Sequence, residues 1–362
     1  MTMTQTPVRY SPDVEDVKPD EAETITKLNE TFDKILETTA EDYGHAVRSV
    51  HAKAHGFLDG VLIVHDGLSP ELAQGLFATP GEHKVVMRFS INAGDILPDT
   101  ISLPRGLALK VMDVDGERLP GADGQTQDFV MVNGSVFQNK TADQFLGNLK
   151  LLAGTTDKLE GTKEAMSKVL RGVNTVLSAV GIESPKVQTL GGAPNSDPLG
   201  ETYFSVTPFR YGDYIAKFAI FPVSKDLIDQ TDTTIEATGR PDALRDVIRS
   251  ETQVLEMEWE VRVQLCRDLE EQPVEDPTVE WKQDDAPFQT VATIRAAKQD
   301  SLTEDKFQKI NEEMRFSIWT GLAAHQPLGN INRARNGTYR HSADFRARVN
   351  GCPYHEPVGG RA

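Results

Sequence analysis

Met257-Glu258-Trp259-Glu260-Val261-Arg262-Val263-Gln264-Leu265 alternates apolar and polar residues without a break. A period of two is the mark of a β-strand with one face in a core and the other in water. Antiparallel sheets expose a face in this way, so the stretch predicts an antiparallel sheet rather than a doubly wound parallel one. Working outward, residues 289–297, 215–221 and 203–206 carry the same apolar, β-branched and aromatic composition. Further upstream, residues 128–132, 107–114, 85–90 and 57–64 add more strands, with Asp115-Gly116 predicting a tight turn after the second of these. Roughly eight strands result, and they close most economically as a barrel.

Helical patterns surround and interrupt the strands. Ala22, Ile25, Leu28, Phe32, Ile35 and Leu36 recur at helical spacing. Ser69-Pro70-Glu71 has the cap and first-turn proline of a short helix. Residues 141–190 read as a helical insertion, ended by the turn-rich Gly191-Gly192-Ala193-Pro194. Helices over 304–314 and 330–339 follow. The fold class expected is α+β: an antiparallel eight-stranded β-barrel with flanking and inserted α-helices. One domain over residues 21–350 is expected between a flexible N-terminal tail, 1–20, and a short C-terminal tail, 351–362.

Charge narrows the function. The 362 residues hold 38 Lys and Arg against 55 Asp and Glu, a net charge of −17. That balance opposes nucleic acid or an anionic membrane as partner and favours a small-molecule role. No apolar run is long enough to span a bilayer, and residues 1–20 lack the pattern of a secretory signal. Cys266 and Cys352 form no disulfide framework, so a cytoplasmic setting is expected.

Few chemical motifs survive inspection. His51 and His55 would share a helix face, but no glutamate follows the first, and Gly56 would end the helix, which disfavours zinc. Gly121-Ala122-Asp123-Gly124 lacks the lysine of a phosphate loop, and no Gly-x-Ser-x-Gly elbow occurs. Trp259 and Trp281 read as core residues. Arg335-Asn336-Gly337-Thr338-Tyr339 is more informative, because it sets a guanidinium one helical turn before a phenol. A phenolate can ligate haem iron, and a neighbouring guanidinium stabilises its negative charge. Arg346 lies two turns further on.

Several blocks, in this order, resemble haem catalases. Arg48-Ser49-Val50-His51-Ala52-Lys53 is similar to their Arg-x-Val-His-Ala-Lys stretch. Val86-Met87-Arg88-Phe89-Ser90 resembles their Val-Arg-Phe-Ser strand. Asp99-Thr100 with Pro104-Arg105-Gly106-Leu107-Ala108-Leu109-Lys110 resembles Asp-Thr…Pro-Arg-Gly-Phe-Ala-Val-Lys, and Asp128-Phe129-Val130 with Asn133-Gly134-Ser135-Val136-Phe137 resembles Asp-Leu-Val…Asn-Thr-Pro-Val-Phe. Arg335-x-x-x-Tyr339 followed by Arg346 is similar to the proximal helix. The resemblance covers residues 40–140 and 325–350, and the chain's length resembles the short catalase-related group. It departs at Gly134-Ser135, which replace Thr-Pro, and at Gln138, which replaces an aromatic residue. Val50 stands where coral allene oxide synthases, which also resemble catalases, have threonine.

The resemblance implies a haem b inside the barrel, with Tyr339 as axial ligand held by Arg335. Arg48, Arg88 and Arg346 would meet its propionates, and Phe137 would wall the distal side. His51 would be the acid/base that moves a proton between the peroxide oxygens, with Asn133 orienting the peroxide and Ser90 fixing the imidazole. The activity implied is that of a catalase or peroxidase acting on hydrogen peroxide or an organic hydroperoxide, with an organic electron donor as second partner. The alternatives are a haem-binding barrel without turnover and a hydroperoxide-rearranging enzyme. A homodimer is the expected assembly.

Overall fold

A computed structural model describes residues 6–153, 194–352 and 356–357. Its strands are β1 (Ala54–Val64), β2 (Gly81–Ile91), β3 (Arg105–Val111), β4 (Gln127–Val132), β5 (Tyr203–Phe204), β6 (Phe209–Tyr211), β7 (Tyr214–Pro222), β8 (Met257–Leu265) and β9 (Gln289–Ala296). All pair antiparallel in the order β5-β4-β3-β2-β1-β9-β8-β7-β6, and β5 also pairs with β7. That last pairing closes eight strands into a barrel and leaves β6 as a hairpin extension of β7. Closure removes the exposed edges that an open sheet would present.

The interior is packed with side chains. Leu58, Met87, Phe89, Leu107, Leu109, Phe129, Met131, Phe218, Trp259, Val261 and Ile294 belong to one buried cluster. Strand alternation therefore sends Arg88, Ser90, Gly106, Ala108, Val130 and Val132 to the outer face of β2, β3 and β4. Three helices cover that face: α1 (Glu21–Tyr43), α2 (Ala142–Ala153) and α4 (Asn330–Asn350). Leu28, Phe32 and Ile35 of α1 meet Ala142, Leu146 and Leu149 of α2 and Ile331 and Ala334 of α4. A further helix, α3 (Ala243–Glu251), packs beside β1.

Helix α4 runs eleven residues past the expected Tyr339 because no breaker intervenes before Gly351, which caps it at φ 64. The same helix thus carries Arg335, Tyr339 and Arg346. Other expectations need correcting. The chain around Ser69 makes only a turn, with the Leu72 and Ala73 N–H groups donating to the Ser69 carbonyl. Asp115-Gly116 sits in a longer connection, where Val114 N–H donates to Gln125, rather than in a tight hairpin. The helix expected over 304–314 is one α turn followed by a π-helical turn, Phe307–Glu313.

The tails are also less free than expected. Val8 N–H donates to Cys266, Tyr10 N–H donates to Asp213, and Arg333 holds both Glu15 and Glu21. Residues 6–20 are docked because Val8, Tyr10 and Val14 cover the apolar cluster of Ile215, Cys266, Val274, Trp281 and Leu328. Beyond α4, Glu356 pairs with Lys110 at 2.9 Å and with Arg315 at 2.6 Å. Most of the expected helical insertion, from residue 154 on, lies outside the described residues. No helix among the described residues is long and apolar enough to cross a membrane.

Candidate functional site

Between the outer face of β2–β4 and the helices lies a slot of two lobes, with empty volumes of about 900 Å³ and 940 Å³ including parts open to solvent. His51 and Tyr339 line both lobes. The expected position inside the barrel is corrected, since side chains fill the interior and the slot lies outside it.

His51 sits just before β1 with a positive φ of 55°, strained for a residue with a side chain. Its backbone is held by its own N–H to Asn92 at 3.4 Å and by Arg88, which donates to its carbonyl at 2.8 Å. Its Nδ1 meets Ser90 Oγ at 3.1 Å, and Ser90 Oγ donates in turn to the Gly106 carbonyl at 3.4 Å. A hydroxyl that spends its proton on a carbonyl must accept from the ring. This network assigns the proton to Nδ1 and leaves the Nε2 lone pair free. Burial, then the charges of Arg88, Arg335 and Arg48, push the ring's pKa down to about 3, so the imidazole is neutral. A Ser90→Ala variant should lose about 1 kcal/mol of stability and let the ring tautomerise. The check is denaturant unfolding together with the His51 ring nitrogen shifts.

Tyr339 faces the slot from α4. Arg335 donates to its oxygen twice, from Nε at 3.1 Å and from a terminal nitrogen at 2.9 Å, and is itself steadied by Asn332 at 3.2 Å. Two guanidinium N–H groups thus converge on the phenol oxygen and fix its position.

At one end of the slot three guanidiniums converge. Arg48 donates to the Asn311 carbonyl at 2.6 Å and its side-chain oxygen at 3.1 Å, Arg88 donates to that side-chain oxygen at 3.0 Å, and Arg346 donates to the Asn311 carbonyl at 2.8 Å. Burial, then the charge of Arg346, brings Arg88 down to about 9, and Arg48 falls well below its ordinary value for the same leading reason. Glu312 is the one carboxylate that offsets either shift. Arg346 keeps a buried Nε without a partner. Three crowded cations with so little counter-charge suit a ligand with more than one carboxylate. The hub, Asn311, belongs to the π-helical turn. Nothing in the residue pattern marks it, because the turn reads as ordinary helix.

Phe137 and Val50 lie in the apolar lobe with Leu28, Phe32 and Phe145. Asn133 does not line either lobe. Its side-chain oxygen accepts from Arg105 N–H at 2.7 Å, and its amide reaches the buried Glu201. Asn92, two residues after Ser90, lines the apolar lobe instead. A period-two count from Ser90 would have found it.

A phenol flanked by a guanidinium, a facing imidazole, a three-arginine end and an apolar lobe fit a haem with its propionates. The chain has a catalase-like fold. It is similar to catalase A from Saccharomyces cerevisiae, at 17% identity and a TM-score of 0.58, covering 87% of this chain and 64% of that one. It is likewise similar to a fungal catalase, at 16% identity and a TM-score of 0.60, covering 88% and 62%. This chain therefore spans less than two thirds of the length of these catalases. No family model matches the chain, and no curated protein matches it.

Proposed function

We propose that this chain is a haem-dependent oxidoreductase of catalase or peroxidase type that splits hydrogen peroxide or an organic hydroperoxide. The observation that carries this reading is a neutral, half-buried His51 and a doubly hydrogen-bonded Tyr339 oxygen lining one slot. Tyr339 would hold the iron of haem b, Arg48, Arg88 and Arg346 its propionates, and Phe137 its apolar edge. Bound there, haem supplies the redox-active iron for O–O cleavage.

The chain's own residues supply the proton movement. His51 Nε2, free because Nδ1 is committed to Ser90, takes a proton from one peroxide oxygen and returns it to the other. Arg88 keeps the backbone that aims the ring in place. The chain's two cysteines, which form no disulfide, suit a reducing, cytoplasmic setting. A second reading, a haem-binding barrel without turnover or a hydroperoxide-rearranging enzyme, draws on one observation: Asn133 lines neither lobe of the slot, and its side-chain oxygen is taken up by Arg105 N–H.

Haem-supplemented protein should develop a Soret band with the features of tyrosinate ligation, and Tyr339→Phe should remove those features. Oxygen release from hydrogen peroxide should fall about 10²–10⁴-fold in His51→Ala. Absence of a Soret band would overturn the haem reading. A normal Soret band with no turnover would favour the second.

A further inference from the structure

A second space adjoins the slot. It opens between the π-helical turn Phe307–Glu313 and the C-terminal half of α4, with an empty volume of about 770 Å³ including open solvent. His45, Phe307, Glu312 and Asn350 line it, and so do Ala343 and Arg346. Ala343 and Arg346 line the slot as well, so the two spaces share a wall formed by residues of one helix. Arg346 is one of the three guanidiniums at the end of the slot. Irregular π-helical turns are often found where function requires a local departure from regular helix.

We infer that this groove binds a phenolic electron donor, whose electrons cross the Ala343–Arg346 wall. The inference rests on the haem reading above. A phenol that loses an electron must also lose its hydroxyl proton, so its site needs an apolar surface for the ring and an acceptor for the proton. Phe307, 36% exposed, offers the surface. The Glu312 carboxylate accepts from Asn311 at 2.6 Å and has acceptor capacity left. His45 Nδ1 lies 3.3 Å from the Tyr43 carbonyl, which puts the proton on that nitrogen and leaves Nε2 to accept. The chain's net charge of −17 discourages anionic donors, whereas a neutral phenol approaches unopposed. The reaction balances as one hydrogen peroxide and two phenols giving two waters and two phenoxyl radicals. Each phenol gives up one electron and one proton, and the two electrons reduce the O–O bond.

The test uses the full chain loaded with ferric haem, with 4-methylphenol as probe. Ala347→Trp, on the groove side of α4, fills the space with an indole, and Phe307→Ala removes the ring surface. Paramagnetic relaxation of the probe's protons should be saturable in the wild type and lost in Ala347→Trp. The KM for its oxidation should rise at least tenfold in Ala347→Trp and severalfold in Phe307→Ala, while oxygen release from hydrogen peroxide stays within twofold. Wild-type relaxation and KM in Ala347→Trp would overturn the groove and place the phenol elsewhere. If Ala347→Trp slows both reactions together, Phe307→Ala decides: a raised KM for the phenol alone supports the groove, and an unchanged KM overturns it. Wild-type protein without a Soret band overturns the haem reading itself, which separates the two failures.

Discussion

Gly106→Ala should cut peroxide turnover about 10²–10⁴-fold while leaving the fold and haem uptake in place. A Cβ at Gly106 would stand 2.4 Å from Cε1 and 2.6 Å from Nδ1 of His51, and 3.3 Å from Ser90 Oγ. One of these neighbours has to move. The β2 and β3 backbones cannot, because they are paired along their whole shared length from Val85↔Val111 to Ile91↔Arg105. The His51 backbone is tied to Asn92 and Arg88. What remains is rotation of the imidazole into the slot, which breaks the contact with Ser90 and with it the assignment of the lone pair to Nε2. The loss should therefore come with an altered pH profile and a changed ring tautomer. Gly134→Ala is the matched control, since a Cβ there meets nothing within 4 Å. Equal turnover in the two variants would show that His51 is not the working base.

The parts of this molecule that could be read from sequence are those where one face is wet. β8 was legible from residue 257 to 265 because its buried and half-buried positions alternate over most of its length. β3 is buried at every position, and β2 at every position from Val85 on, since one face packs in the barrel and the other under helices. Their periodicity is thereby erased, which is why the sequence did not show on which side of the sheet the site lies. Spacing along one helix survived better. Arg335 and Tyr339 are in contact as the four-residue interval requires. Contacts set by irregular backbone were not legible. Asn311 depends on a π-helical turn, His51 on a positive φ, and the orientation of Asn133 on a buried Glu201 from a distant strand end. Glu356 was likewise invisible, because a glutamate in a polar tail carries no sign that Lys110 waits for it, buried on the outer face of β3.

As pH falls below about 6.5, protonation of buried histidines should destabilise the haem-free protein, with the fully buried His55 and His325 contributing most among the histidines described. The His325 ring is fully buried among Phe77, Phe129, Tyr211 and Phe218 at one end of the barrel interior. Leu76 N–H donates to its Nε2 at 2.9 Å, a bond that only the neutral ring can accept. Burial pushes its pKa down to about 3. In the unfolded chain the same group titrates near 6.5. Between these values the unfolded state binds the extra proton, so stability rises with pH across the window and is lost as pH falls through it. The cost is about 1.4 kcal/mol per pH unit, or roughly 3 kcal/mol between pH 6.5 and 4.5. His55, fully buried and without a partner among the described residues for either ring nitrogen, acts in the same direction. His51 does so too, but its ring borders the open slot, where water offsets part of the penalty. His325→Phe isolates the share of His325. Leaving the Leu76 N–H unpaired should cost about 1–3 kcal/mol at every pH. The loss between pH 7.5 and 4.5, measured by urea unfolding, should nevertheless shrink by about the His325 share. An unchanged pH dependence would mean that the ring takes up its proton without unfolding the barrel end.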